Sequence, residues 1–304
     1  MRALEFVCLT KSFLKRGILE KGMDFIRLLR PHQWYKNVLV FLAVIFSGSL
    51  FDVAAWVAAG VGFVALCALS SSTYVINDIA DRRADRLNPE KAGRPIASGK
   101  VSVLFASVLS LISAGVGFAV VLLLPVSAVI TAVLFFILCQ LYTFWLKSEP
   151  FADVIVIAVN FVLRAVLGAF AINVWVSPWL VAGVFFLALF LILGKRRSEM
   201  VFLGKRAQLA RASLRGYSQE LIRSLSTVAT ACLVMSYTLF VFFGLHPGLY
   251  VTLPVALYAV FRYEKFIGEG SVIARHPHLV FKDARMLIAI VLWLALTLFV
   301  LYYF

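Results

Sequence analysis

The sequence predicts an all-α, polytopic membrane protein, and three observations carry that reading. Apolar residues make up 62% of the 304-residue chain and charged residues only 14%, against about 25% charged in an ordinary soluble domain. The apolar residues gather in stretches close to the ~20 residues that cross ~30 Å of hydrocarbon. The basic residues fall in alternate connections between those stretches. So much apolar surface cannot be hidden in one soluble core of this size.

Taken in order, the apolar stretches are 38–51, 53–76, 101–124, 126–146, 151–173, 178–194, 220–245, 247–263 and 286–304. They predict nine transmembrane helices. The first is short, and its start is placed as early as Phe25. Of the 29 Lys and Arg, eight precede residue 38, six lie in 78–100, eight in 195–223 and five in 262–285, with Lys147 and Arg164 apart from these groups. The connections near 52, 125, 175 and 246 carry none. Positive charge gathers on the cytoplasmic side. The N-terminus is therefore expected in the cytoplasm, the C-terminus outside, and the basic loops at the cytoplasmic face of a cell (inner) membrane. The net charge of +14 is then a matter of topology and anionic lipid headgroups, not of nucleic acid.

Cys8, Cys67, Cys139 and Cys232 are scattered, with no CxxC or Cys/His metal spacing. Three of them read as packing residues within spans. Residues 1–23 lack a clean apolar core with a small-residue cleavage site, and read as a basic amphipathic surface segment. The expected organisation is a cytoplasmic or interfacial segment over 1–24 and one membrane domain over 25–304.

The stretch "NDIADRRAD", 77–85, ends the second span on three aspartates. At about 100° per residue, with Asn77 as zero, Asp81 falls near 40°, Asp85 near 80° and Asp78 near 100°, with Tyr74 near 60°. One wall of the helix turns polar as it leaves the membrane, while Arg82, Arg83 and Arg86 fall on another side. A solvated helix end, its aspartates paired with nearby arginines, is the plain reading. Carboxylates crowded on one face repel unless a cation lies between them. Hard oxygen ligands suit Mg²⁺, which keeps waters and bridges to substrate phosphates. The patch therefore reads as a site for Mg²⁺ and a diphosphate.

Other polar residues stand out in the spans. Asp153, Asn160 and Arg164 share one face of the fifth, to within about 40°. A charge near mid-membrane costs ~2.5–3.5 kcal/mol on insertion scales and so faces a cavity or a partner. Gln140, Thr143 and Lys147 share a face of the fourth, with Tyr142 beside them. The sixth span is followed by "GKRRSEM", 194–200, and the first is preceded by "RPHQWYKN", 30–37. There Trp34 and Tyr35 suit an interface, while Lys36 and Asn37 are polar for a span entrance.

Together these pieces resemble the UbiA superfamily of intramembrane prenyltransferases. The carriers are "RPHQWYKN", "YVINDIADRRADRLNPEKAGRPIASG" (74–99) and the nine-span count. The family's NDxxDxxxD pattern is matched by Asn77, Asp78, Asp81 and Asp85. The resemblance implies a horseshoe of nine helices, a cytosolic cap and a lateral opening to lipid. One departure matters: where most members carry a second aspartate-rich motif after the sixth span, this chain has Lys195, Arg196, Arg197 and one acid, Glu199. That variation, with "LYTFWLKSEPFAD" and "FLALFLILGKRRSEM", looks like the branch that transfers 5-phosphoribosyl from phosphoribosyl diphosphate to decaprenyl phosphate.

The resemblance implies that Asn77, Asp78, Asp81 and Asp85 hold Mg²⁺ and the donor diphosphate. Lys195, Arg196 and Arg197, with Glu199, meet phosphates of the donor or the polyprenyl phosphate lipid. Tyr74, Arg94, Tyr142, Lys147, Asp153 and Arg164 line the substrate pocket, and Lys36 and Asn37 stand at its mouth. The expected partners are the two substrates and membrane lipids, with no oligomeric state implied. Two other readings stay open. One is prenyl transfer from a diphosphate to an aromatic or lipid acceptor, against which the missing second acidic motif counts. The other is a lipid transporter or flippase, whose polar residues would line a path across the membrane instead of clustering at one surface.

Overall fold

The computed structural model describes residues 22, 24–88, 90–204, 216–244 and 246–303. Cys8 and nearly all of the expected 1–24 segment lie outside them. Among the described residues all regular structure is helical. After a 3₁₀ helix, Pro31–Phe41, come ten α-helices: α1 Leu42–Phe46, α2 Val53–Leu87, α3 Val103–Val121, α4 Val126–Phe144, α5 Ala152–Ala171, α6 Pro178–Leu203, α7 Gln219–Phe243, α8 Leu253–Gly268, α9 Val272–Arg275 and α10 Ala284–Tyr303. Local chemistry sets their starts. The Asp52 carboxylate accepts from the Ala54 N–H at 2.8 Å ahead of α2. Ser102 caps α3 by accepting from the Phe105 N–H at 3.2 Å, and Ser218 caps α7 by accepting from Leu221 at 3.0 Å.

Among the described residues seven helices are long and apolar enough to cross a membrane: α2, α3, α4, α5, α6, α7 and α10. The expected count of nine is not reached, because two of the stretches do not form single long helices. Stretch 38–51 is divided between the 3₁₀ helix, five-residue α1 and a turn containing Gly48 at φ 79°. Stretch 247–263 is divided between a 3₁₀ turn, Pro247–Thr252, and α8. The 16 residues of α8 reach only about 24 Å at 1.5 Å each, and Arg262, Glu264 and Lys265 fill their polar end.

The described backbone groups into two compact units, one of the described residues up to 37 with those in 64–123, and one of 38–63 with the described residues from 124 onward. The first has a core of Leu28, Val75, Ile96, Ala106 and Leu109. Its helices α2 and α3 touch closely at Gly117, where an added Cβ would lie 2.7 Å from Leu69 Cγ. Ser72 and Ser110 are hydrogen-bonded across the same contact at 2.9 Å. In the second unit α5 packs between α4 and α6, and α6 runs along α7. Val154, Leu193, Met200, Tyr217, Ile222 and Ala229 form the core there. Gly168 of α5 lies against backbone: a Cβ would fall 2.0 Å from the Val40 carbonyl oxygen. Outward apolar side chains such as Leu104, Leu111, Val126, Ile288 and Phe299 are exposed, as lipid-facing positions are.

Candidate active site

Helix α2 is unbroken from the apolar run into the acidic stretch, so the helical spacing assumed for Asn77–Asp85 holds. Its 35 residues span about 52 Å, well beyond ~30 Å of hydrocarbon. Within the first unit the acids sort into two sets. Asp78 and Asp85, two turns apart and both buried, are bridged by Arg94, whose Nη1 donates to Asp78 Oδ1 at 2.9 Å and to Asp85 Oδ2 at 2.7 Å. Asn77 and Asp81, one turn apart and partly exposed, are joined by Asn77 Nδ2 donating to Asp81 Oδ2 at 3.1 Å. The cation demanded by crowded carboxylates is thus supplied in part by the chain, from the loop after the helix.

A second cation comes from the N-terminal side. Arg30 Nη2 donates to Asp78 Oδ1 at 2.5 Å, and the Arg30 guanidinium lies 5.4 Å from the Tyr74 ring centre. Lys36 Nζ lies 5.9 Å from the same ring and donates to Gln33 Oε1 at 3.0 Å. Lys91 Nζ reaches Asp85 at 3.8 Å. Arg30 holds this place with φ at 50°, a left-handed backbone that costs a non-glycine residue about 1–3 kcal/mol. Tyr74, Asp78, Asp85 and Arg94 therefore meet with Arg30, Lys36 and Lys91 close by. Asn37 does not stand open at a mouth. It is buried, donating to Cys67 Sγ at 3.3 Å and accepting from Ser70 Oγ at 3.4 Å. Trp34 likewise donates to Ser71 Oγ at 3.0 Å, so the polar residues of "RPHQWYKN" pin the 3₁₀ helix to α2.

Among the described residues no three carboxylate, His or Cys side chains converge as a ready-made cage. The donor set of Asp78, Asp81, Asp85 and Asn77 is still the right chemistry for Mg²⁺. That ion demands near-octahedral oxygen, keeps waters, and is usually held by one or two carboxylates with substrate phosphates completing its shell.

The second unit carries its own polar cluster. Arg196 Nη2 donates to Asp153 Oδ2 at 2.9 Å, and both side chains are almost fully buried, at 2% and 0% exposed. Tyr217 OH donates to Asp153 Oδ1 at 3.1 Å and accepts from the Phe151 N–H at 2.8 Å. Burial, followed by the neighbouring Asp153 carboxylate, pushes the Tyr217 phenol up to about 12. Tyr142 lies within electrostatic reach of Arg196, Asp153 and Lys147. Arg197 Nη1 donates to Glu264 Oε2 at 3.3 Å, and Glu264 Oε1 accepts from Thr230 Oγ1 at 2.7 Å. Lys195 is the most open of the three cations, 39% exposed and 3.8 Å from Glu199.

Arg164 stands apart from Asp153 despite sharing its helix face. Its Nη1 donates to the Asn160 carbonyl at 2.7 Å, and its guanidinium lies 4.7 Å from the Phe135 ring centre and 5.1 Å from that of Phe161. This is the partnering that a buried mid-span cation requires.

Sequence reasoning gave no role to Arg30, Lys91, Tyr217, Glu264 or His276. His276 lies near Lys195 and Glu199, and burial, then the Lys195 charge, lowers its affinity for a proton. Arg30 carried a signal, as the first residue of the quoted "RPHQWYKN". Tyr217 and Glu264 carried none, because their partners lie 64 and 34 residues or more away.

A family model described as "UbiA prenyltransferase family" matches residues 38–271. The decaprenyl-phosphate phosphoribosyltransferase of Mycolicibacterium smegmatis is 33% identical over 221 residues, 71% of this chain and 70% of that protein. The enzyme of the same name from Corynebacterium glutamicum is 32% identical over 228 residues, 74% of this chain and 68% of that protein. In fold the chain is similar to a UbiA homolog from Archaeoglobus fulgidus solved bound to DMAPP and Mg²⁺. The TM-score is 0.70 at 21% identity, over 92% of this chain and 100% of that one.

Proposed function

This chain belongs to the UbiA prenyltransferase family and is a multi-pass membrane transferase, and from that premise we propose that it transfers 5-phosphoribosyl from phosphoribosyl diphosphate to a polyprenyl phosphate, releasing diphosphate. The observation that carries this reading is the end of α6. Lys195, Arg196, Arg197 and Glu199 stand where the family's usual second acidic motif would serve a prenyl diphosphate. Relatives bearing the phosphoribosyltransferase name, at about a third identity, support the same choice.

Asn77, Asp78, Asp81 and Asp85 would hold Mg²⁺ against the donor diphosphate, with no need for all four to touch it. When bound, the ion offsets the charge growing on the leaving diphosphate. Arg94, Arg30, Lys36 and Lys91 surround the same acids and supply donors for diphosphate oxygens. Positive charge develops at the ribose anomeric carbon as its bond to the diphosphate breaks, as in other glycosyl transfers. The lipid phosphate is an anion at neutral pH, so it attacks without a general base. The residues position two polyanions and offset their repulsion. Lys195 is the cation of the α6 stretch assigned to a substrate phosphate. Arg196, locked to Asp153, which Tyr217 also holds, orders the stretch from within.

With the N-terminus cytoplasmic, this chemistry takes place at the cytoplasmic face. The test is incubation of membranes containing the protein with labelled phosphoribosyl diphosphate and, separately, labelled prenyl diphosphate, followed by thin-layer separation of the lipids. Label entering a polyprenyl phosphate lipid only from the first donor is the expected result. Label only from the second restores ordinary prenyl transfer, and lipid movement without covalent product points to a transporter.

A further inference from the structure

A second charged constellation lies on the other side of α2 from the aspartates. At about 100° per residue from Asn77, Arg82, Arg86 and Arg83 fall near 140°, 180° and 240°, away from the acids near 40° to 100°. All three line one cavity of about 380 Å³, closed by Ile96, Gly99, Val101, Ser102 and Val103 at the entrance to α3. Arg86 is fixed there, its Nε donating to the Ala97 carbonyl at 2.9 Å. Arg82 and Arg83 pair with no acid among the described residues. Three guanidiniums around one cavity repel one another, and an anion between them relieves that repulsion.

The surface beside the cavity narrows the choice of anion. From the cavity rim, α3 presents an apolar stripe of Leu104, Phe105, Val108, Leu111 and Ile112, with Leu104 and Leu111 about three-quarters exposed at 77% and 75%. A basic polar cavity directly above an exposed apolar helix face matches an amphiphile with an anionic head and hydrocarbon tails. We propose that Arg82, Arg83 and Arg86 bind the phosphodiester headgroup of an anionic glycerophospholipid, whose acyl chains lie along α3. This site uses none of the residues assigned to catalysis. With this end of α2 cytoplasmic, it faces the leaflet rich in anionic lipid.

The test is native mass spectrometry of the full chain, purified in detergent with equimolar phosphatidylglycerol and phosphatidylcholine. The wild type is expected to retain phosphatidylglycerol preferentially. Arg83→Gln, an exposed side chain whose loss leaves packing intact, should lower that retention about fivefold, and Arg82→Gln with Arg83→Gln by about the square of that, given the usual attraction of one basic residue for an anionic surface. Lys265→Gln with Lys282→Gln removes the same formal charge elsewhere and should change little. Unchanged retention in the arginine variants, an equal fall in the lysine control, or equal retention of phosphatidylcholine would each overturn the assignment. Displacement of the lipid by an equal concentration of inorganic phosphate would do so too, by marking a site for free anions.

Discussion

Arg94→Gln offers the sharpest view of how the acidic face is built. The substitution removes one guanidinium nitrogen that binds Asp78 at 2.9 Å and Asp85 at 2.7 Å. Asp78 keeps Arg30, while Asp85 keeps, among the described residues, Lys91 at 3.8 Å. If the aspartates hold Mg²⁺ and Arg94 meets the diphosphate, both ligands compete with a pairing already made inside the protein. A charge-assisted hydrogen bond contributes about 1.5–3 kcal/mol. Losing the arginine should therefore tighten binding of Mg²⁺ alone by roughly tenfold or more, and weaken binding of inorganic diphosphate roughly 10- to 150-fold. The opposed signs are what matter, since damage to the fold would weaken both. Isothermal titration of the purified protein with each ligand measures them, with Arg94→Lys as the conservative control. Two affinities that fall together, or neither changing, would reduce Arg94 to a scaffold residue and remove the link between acids, metal and diphosphate.

Asp81, the least enclosed of the three aspartates, should tolerate change structurally. Asp81→Asn is expected to abolish nearly all turnover with membrane insertion intact, and near-normal turnover at limiting Mg²⁺ would refute its role. At α6, Lys195→Ala should weaken a phosphorylated substrate about 10- to 150-fold. Arg196→Ala, which strands the buried Asp153 carboxylate, should instead cost about 3–5 kcal/mol of stability, read as a lower melting temperature. For topology, single cysteines at Ser98 and Ser177 in a cysteine-free background should label from the cytoplasmic and external sides respectively, and the reverse would invert the arrangement. Tyr217 is held protonated, with its phenol raised to about 12 from an unfolded value near 10. Its contribution to stability is complete below about pH 10 and lost between about 10 and 12. The ultraviolet difference between wild type and Tyr217→Phe should show a tyrosinate that ionises only near the top of that range.

What could be read in the chain follows the range of the physics involved. Helical class, the seven long spans and the helical register of Asn77–Asp85 rest on local periodicity and composition, and all are present. Stretches 38–51 and 247–263 misled because apolar content does not report that the chain turns at Gly48, or that Pro247 opens a 3₁₀ helix and Pro254 lies in the first turn of α8. At the site, the demand for a cation between aspartates was legible from repulsion along one helix. That Arg94 and Arg30 meet part of that demand depends on contacts 9 to 48 residues apart, which no local pattern encodes. Arg196 read as a phosphate-binding cation of "GKRRSEM", like its two neighbours, because its buried partner, Asp153, is 43 residues away.

The continuity of α2 also makes it a gauge. Membrane span and acidic face belong to one rod, with no loop between them to absorb an error in length. Deleting one residue anywhere in 64–76 would keep the helix intact, yet draw the carboxylates about 1.5 Å toward the bilayer and swing them by about 100°. The depth and bearing of the acids relative to a lipid phosphate are thus written as a count of hydrophobic residues. Contacts such as Ser72 with Ser110 and Leu69 against Gly117 restrict the composition of that segment, and the unbroken helix restricts its length as well.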